Sequence, residues 1–151
     1  MKKFLCVLLA TASFSCNNDA SKTGTQPSAT GEKAGATKGF WEGTFTNGMK
    51  GAKISFEVSA DGKEMKDVTF QGYWRCDGKL DLTTLGPKKS FSIEGKIVSG
   101  VITEPEGGGA TAARFELHGE FKGDSAVGTF RMNINALACD TYVLNWTAYR
   151  K

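Results

Sequence analysis

Residues 40–151 predict an all-β fold, an antiparallel β-sandwich or small β-barrel of about eight to nine strands. Three observations carry this expectation. Apolar and polar residues alternate with period two rather than at helical spacing. Turn-forming residues recur at intervals of roughly ten positions. No window supports a long amphipathic helix. One face of each strand is apolar, so the sheet must curl or fold over to hide it.

The strands follow in order. Phe40–Phe45 (FWEGTF) opens as a short strand and Asn47-Gly48 is a turn signal. Ile54, Phe56 and Val58 alternate with Ser55 and Glu57, and Asp61-Gly62 marks a hairpin turn. Val68, Phe70, Gly72, Trp74 and Cys76 then share one face, with Thr69, Gln71, Tyr73 and Arg75 on the other. After Asp77-Gly78, Leu80 and Leu82 pattern a short strand that ends by Gly86-Pro87. Phe91 and Ile93 form the next, up to Gly95. Ile97–Thr103 is β-branched and interrupted by Gly100, which suggests a bulge or bend. Beyond the loop Glu104–Thr111, Phe115, Leu117, Gly119 and Phe121 alternate with charged residues, and Gly123-Asp124 turns the chain. Gly128, Phe130, Met132 and Ile134 share a face; the last strand starts at Cys139, and Tyr142, Leu144, Trp146 and Ala148 share one of its faces. The glycines inside strands (Gly72, Gly95, Gly100, Gly119, Gly128) favour strong bends, which a sandwich and a barrel both use.

Charge excludes one class of partner. The formal net charge is +3, but Lys2 and Lys3 lie in a separate N-terminal stretch, and residues 40–151 carry 14 basic and 14 acidic side chains. Nucleic-acid binding therefore lacks its electrostatic warrant.

That N-terminal stretch reads as an export signal. Lys2 and Lys3 precede an apolar run of nine residues, Phe4–Ala12, followed by Ser13-Phe14-Ser15-Cys16. The run is far shorter than the ~20 apolar residues of a spanning helix. Ser15-Cys16, after small residues, resembles a bacterial lipoprotein signal. The resemblance implies cleavage before Cys16, acylation of Cys16, and anchoring to the outer membrane or a periplasm-facing membrane; Asn17 fits release to the outer membrane. Ser13 departs from that pattern, where an aliphatic residue is usual, and Ser13 with Ser15 also fits ordinary signal cleavage. Residues 16–39 contain neither aromatic nor large aliphatic side chains before Gly39, so they cannot bury enough apolar surface to offset ordering. They read as a linker with a reach on the order of 25 Å. The domain scheme is thus residues 1–15 signal, 16–39 lipidated N-terminus and linker, and 40–151 β domain.

Four cysteines sort by this scheme. Cys6 leaves with the signal and Cys16 is the lipidation site. Cys76 and Cys139 remain in an oxidising compartment and pair with each other. A two-cysteine metal site lacks an evident third ligand, since His118 is the only histidine.

The run Gly119–Phe121 (GEF), Gly128–Arg131 (GTFR), Cys139 and Trp146–Arg150 (WTAYR) resembles small exported bacterial β domains, as do Ile54–Val58 with Asp61-Gly62-Lys63 and Cys76. No assigned activity follows from that resemblance. The opening Gly39–Phe45 (GFWEGTF) is similar to the first strand of lipocalin-like and avidin-like barrels, which implies a small apolar ligand held in the barrel.

Candidate chemistry is sparse. His118, the one histidine, lies on a polar strand face between Glu116 and Glu120 with no nucleophile pair nearby. Asp61, Glu64 and Asp67 lack the spacing of a calcium loop, and Gly107–Gly109 lack the Lys-Ser/Thr of a phosphate loop. No metal or other cofactor is implied. Trp41, Tyr73, Trp74, Arg75, Tyr142, Trp146 and Tyr149 are the best binding material, with Tyr73, Trp74, Arg75, Trp146 and Tyr149 the leading candidates, because flat aromatic surface beside a polar or charged group suits sugar rings and apolar ligands. Alternation sends Trp74 and Trp146 inward and Tyr73, Arg75 and Tyr149 outward. The expectation is a non-enzymatic exported lipoprotein with a β binding module for a glycan, peptide or small apolar molecule; a small hydrolase centred on His118 is the rival.

Overall fold

Alternating β-branched and aromatic residues form ten strands in the computed structural model, which describes residues 35–151. The export signal, Cys16 and the linker up to residue 34 lie outside the described residues. The strands are β1 (Gly39–Phe45), β2 (Lys53–Val58), β3 (Glu64–Cys76), β4 (Lys79–Leu85), β5 (Phe91–Glu94), β6 (Ile97–Glu104), β7 (Ala113–Lys122), β8 (Ser125–Ile134), β9 (Cys139–Asp140) and β10 (Leu144–Arg150). All pairings are antiparallel. The sheet runs β1-β2-β3-β5-β6-β7-β8-β10, and β10 closes the ring on β1, Trp41 opposite Arg150 and Phe45 opposite Trp146. Of the two architectures compatible with the sequence, the closed barrel is the one formed.

Two strands, β4 and the two-residue β9, lie off this ring. The far half of β3 leaves β5 and pairs with β4 instead, and β9 bridges the end of β3 to β8. The count exceeds the expected eight to nine because the last strand is divided. Tyr142 adopts a left-handed backbone (φ 56°), which separates the two-residue β9 from β10. A bulge sits in β3, where Ser55 faces Thr69 but Glu57 faces Lys66. Asp67 supplies the extra residue with φ 53°, so both Met65 and Val68 point inward.

The interior is packed with aromatic rings. Trp41 stacks on Phe56 at 5.9 Å and meets Phe121 edge-on at 5.3 Å, while Phe56 meets Trp146 at 5.8 Å. Phe70 stacks on Phe130 at 5.8 Å and both touch Phe45. The strand glycines explain how these rings fit. Gly119 and Gly128 face each other across β7 and β8, and the Trp146 indole lies over the pair. A Cβ on either would come within 2.6 or 2.7 Å of Trp146 Cζ2. Gly72 and Gly100 likewise leave room for Phe70 and Phe91. These four glycines thus leave space for neighbouring rings.

Both ends of the described chain meet at one end of the barrel. Ala36 is buried against Gly62, Trp41 Nε1 donates to Thr37 O at 3.2 Å, and Lys151 N donates to Phe40 O at 2.9 Å. From there β1 runs to the opposite end, where the β1–β2 loop, the β3–β4 hairpin and the β9–β10 segment gather.

Candidate functional site

At that opposite end lies a cleft of about 270 Å³. Its walls include Asn47, Met49, Tyr73, Trp74, Arg75, Leu80 and Asp140–Leu144. Three separate stretches build it, and each is fixed by identifiable contacts. The hairpin brings Tyr73 opposite Leu82 and Arg75 opposite Leu80. Cys76 and Cys139, directly opposed in the β3–β9 ladder, are joined by a disulfide with Cα atoms 3.9 Å apart, which staples the hairpin base to β9. Asn47 clamps the β1–β2 loop to the start of β10, donating from Nδ2 to Val143 O at 3.0 Å and accepting from Asn145 N at 2.6 Å.

The turn through Thr141 and Tyr142 is held with equal care. The buried Thr141 hydroxyl accepts from Met132 N at 2.9 Å and donates to Tyr142 O at 2.9 Å. Asp140 Oδ1 accepts from Tyr142 N at 2.7 Å, which fixes the left-handed backbone of Tyr142. Arg131 grips the same carboxylate in bidentate fashion, Nε to Oδ1 at 3.1 Å and Nη2 to Oδ2 at 2.6 Å. Burial pushes the Asp140 carboxyl up, but the hydrogen bonds from Arg131 and Tyr142 N, with the Arg131 charge, outweigh it and hold the group below the usual carboxylate range. A bulky residue held at positive φ is a strain that surrounding structure must enforce, and such residues cluster at ligand sites.

The cleft concentrates exposed apolar surface. Five of the twelve large hydrophobic side chains that stand exposed among the described residues line it: Met49, Tyr73, Leu80, Tyr142 (60% exposed) and Val143. Trp74 forms part of the wall, at 9% exposure. The charged side chains in the lining are Arg75 and Asp140.

Of the binding residues expected from sequence, Tyr73, Trp74, Arg75 and Tyr142 come together here, whereas Trp41 is enclosed in the core. Trp146 is enclosed in the barrel interior, and Tyr149 stands on the outer wall of β10 between Glu42 and Ser125, outside the cleft. Sequence reasoning missed Met49, Thr141 and Val143, and read Asn47 only as a turn residue. Alternation places Tyr142 on one face with Leu144, Trp146 and Ala148, but Tyr142 is exposed while those three are buried, because its left-handed backbone breaks the alternation. His118 is exposed on β7 beside Ser99 and Thr129, in a shallow groove of about 240 Å³. Among the described residues no hydrogen bond orients its ring. A larger recess of about 530 Å³ at the β5–β6 turn is lined by Ser92, Glu94, Gly95, Ile97 and Ser99, and brings together one large apolar side chain and one charge.

Comparison with known protein families, curated proteins and solved structures finds no match to this chain.

Proposed function

We propose that this chain is an exported lipoprotein, anchored through Cys16 to a membrane of the cell envelope, whose barrel is a binding module. Its recognition site is the cleft at the barrel end remote from Gly35. The observation that carries this reading is the convergence of Met49, Tyr73, Leu80, Tyr142 and Val143 on one recess. Exposed apolar surface is costly to leave in water, and a concave aromatic-rimmed patch with a few fixed polar groups is what ligand sites present. The disulfide suits an oxidising compartment. A glycan, a peptide or a small apolar molecule would all be served by these side chains. The packed interior weighs against the lipocalin-like alternative, in which the ligand occupies the barrel itself.

Two measurements test this reading. Intact mass of the membrane fraction should show acyl mass on Cys16; a chain retaining its first fifteen residues would refute the anchor. The full chain should retain a ligand from an array of glycans, peptides and small apolar acids. The double variant Tyr73→Ala/Tyr142→Ala should lose that retention with little change in thermal midpoint. Retention untouched by both changes removes the cleft as the site.

A further inference from the structure

Charge pairing at the cleft narrows the ligand. The chain has four arginines. Arg114 pairs with Glu116, Arg131 with Asp140 at 2.6 Å, and Arg150 with Asp124 at 2.7 Å. Arg75 alone makes no ion pair among the described residues, and it lines the cleft. The acid facing it in the ladder, Asp140, is already committed. Its two oxygens accept two bonds from Arg131 and one from Tyr142 N. Asp140 is thus neutralised by a cation outside the cleft lining, and the recess keeps one uncompensated positive charge. Around that charge the walls are aromatic and aliphatic: Tyr73, Trp74 and Tyr142, with Met49, Leu80 and Val143.

We propose that the cleft takes an apolar, ring-bearing monocarboxylate, with the Arg75 guanidinium receiving the carboxylate and the aromatic wall receiving the ring. This rests on the cleft being the recognition site. A guanidinium presents a planar fork of N–H donors that matches the two oxygens of a carboxylate. A phosphate ester, carrying more than one negative charge at neutral pH, would meet a single cation with the Asp140 carboxylate nearby. A volume of about 270 Å³ lies just below the usual range of ligand pockets and suits a single-ring body rather than a long chain. The carboxylate has two sources, a free aromatic acid or the C-terminal residue of a peptide.

The test uses the ¹⁵N-labelled full chain and its three tryptophan indole signals. Trp41 and Trp146 are enclosed at 0% and 1% exposure, so a ligand in the cleft should move the Trp74 signal alone, identified by its loss in Trp74→Phe. 3-Phenylpropionate should shift that signal saturably and bind about tenfold or more tightly than 3-phenylpropionamide, since a bond to a charged partner is worth more than its neutral counterpart. Arg75→Gln should erase the difference with the thermal midpoint unchanged, and Arg75→Lys should keep part of it. A peptide ending in Phe with a free carboxylate either displaces the acid, marking a chain end as the source, or does not, marking a free acid; both keep the proposal. Equal binding of acid and amide overturns the anion preference while leaving the cleft as a site. No movement of Trp74 with millimolar acid overturns the carboxylate assignment, and the Tyr73/Tyr142 retention experiment then decides the site separately.

Discussion

Gly119→Ala probes the interior packing most directly. The added Cβ would lie 2.6 and 2.8 Å from Trp146 Cζ2 and Cη2 and 3.2 Å from Val127 O. Trp146 is enclosed and held by its edge contact with Phe56 at 5.8 Å, so the ring has no open direction in which to move. Overpacking of this kind costs about 1–3 kcal/mol. Loss of glycine freedom in the unfolded chain offsets about 0.4–1 kcal/mol. The net expectation is about 1–2 kcal/mol of destabilisation, or a thermal midpoint lowered by about 4–10 °C for a domain of this size. Trp146→Phe removes the second ring and destabilises by itself, but it should also remove the collision. In that background Gly119→Ala should be neutral or stabilising, giving a coupling of about 1–2 kcal/mol in the double-mutant cycle.

Gly128→Ala is the contrasting control. Its Cβ would collide with His118 O as well as with Trp146, so Trp146→Phe should not rescue it. Urea unfolding of the single and double variants, followed by far-UV circular dichroism, gives all the terms. A Gly119→Ala cost below about 0.5 kcal/mol, or a cycle without coupling, would refute the claim that this glycine pair exists to seat the indole.

Cys76→Ser/Cys139→Ser opens a cross-link spanning 63 residues and should cost about 4 kcal/mol on the chain-entropy model, read from urea unfolding; a loss under about 1 kcal/mol would contradict it. Asp140 has a lowered folded pKa, so its contribution to stability is complete above the ordinary carboxylate value of ~4 and is lost as pH falls from there through the folded value. Asp140→Asn should flatten that part of the acid limb of the stability–pH curve, and an unchanged limb would reject the assignment. Tyr142→Gly relieves a left-handed backbone worth about 1–2 kcal/mol, so the thermal midpoint should hold or rise while ligand retention falls. His118→Ala should change stability by less than about 0.5 kcal/mol, and unaltered activity in any assay that detects turnover would remove the hydrolase rival.

The local rule of alternation is what the sequence states most plainly. It separated Trp74 and Trp146 from Tyr73, Arg75 and Tyr149 because each pair of neighbours on a strand must face opposite ways. Asp61-Gly62, Asp77-Gly78 and Gly123-Asp124 marked their turns because Gly62, Gly78 and Gly123 each adopt positive φ there. Closure was not legible, since period-two patterning does not say which edges meet; only the pairing of β10 with both β1 and β8 decides it. The bulge at Asp67 was hidden because Asp imitates glycine at positive φ, and the strand consequently begins at Glu64 rather than near Val68. The cleft was half visible. Tyr73, Trp74 and Arg75 lie on one strand, whereas Met49 and Tyr142 reach them only through the folded ladder.

Placement of the chain ends gives the cleft a direction. Ala36 and Lys151 both sit at the end bearing the β2–β3 and β7–β8 turns, through contacts with Gly62 and Phe40, and Thr37 Oγ1 donates to Gly123 O. The seven residues of β1, at about 3.3 Å each, set the cleft roughly 20 Å from that end. The reach of about 25 Å expected from the sequence of residues 16–39 is comparable to that length. If the anchor is at Cys16, the tether joins the barrel at the end remote from the cleft, and shortening the linker should bias the cleft away from the membrane. On vesicles, a dye at Asp124→Cys should be quenched by headgroup quenchers more than one at Leu80→Cys. Deleting about ten linker residues, which shortens the reach, should widen the gap without changing affinity for a soluble ligand. Equal quenching at the two positions in the shortened chain would mean that the cleft faces the membrane as often as the surroundings, and a ligand drawn from the bilayer would then become the better reading.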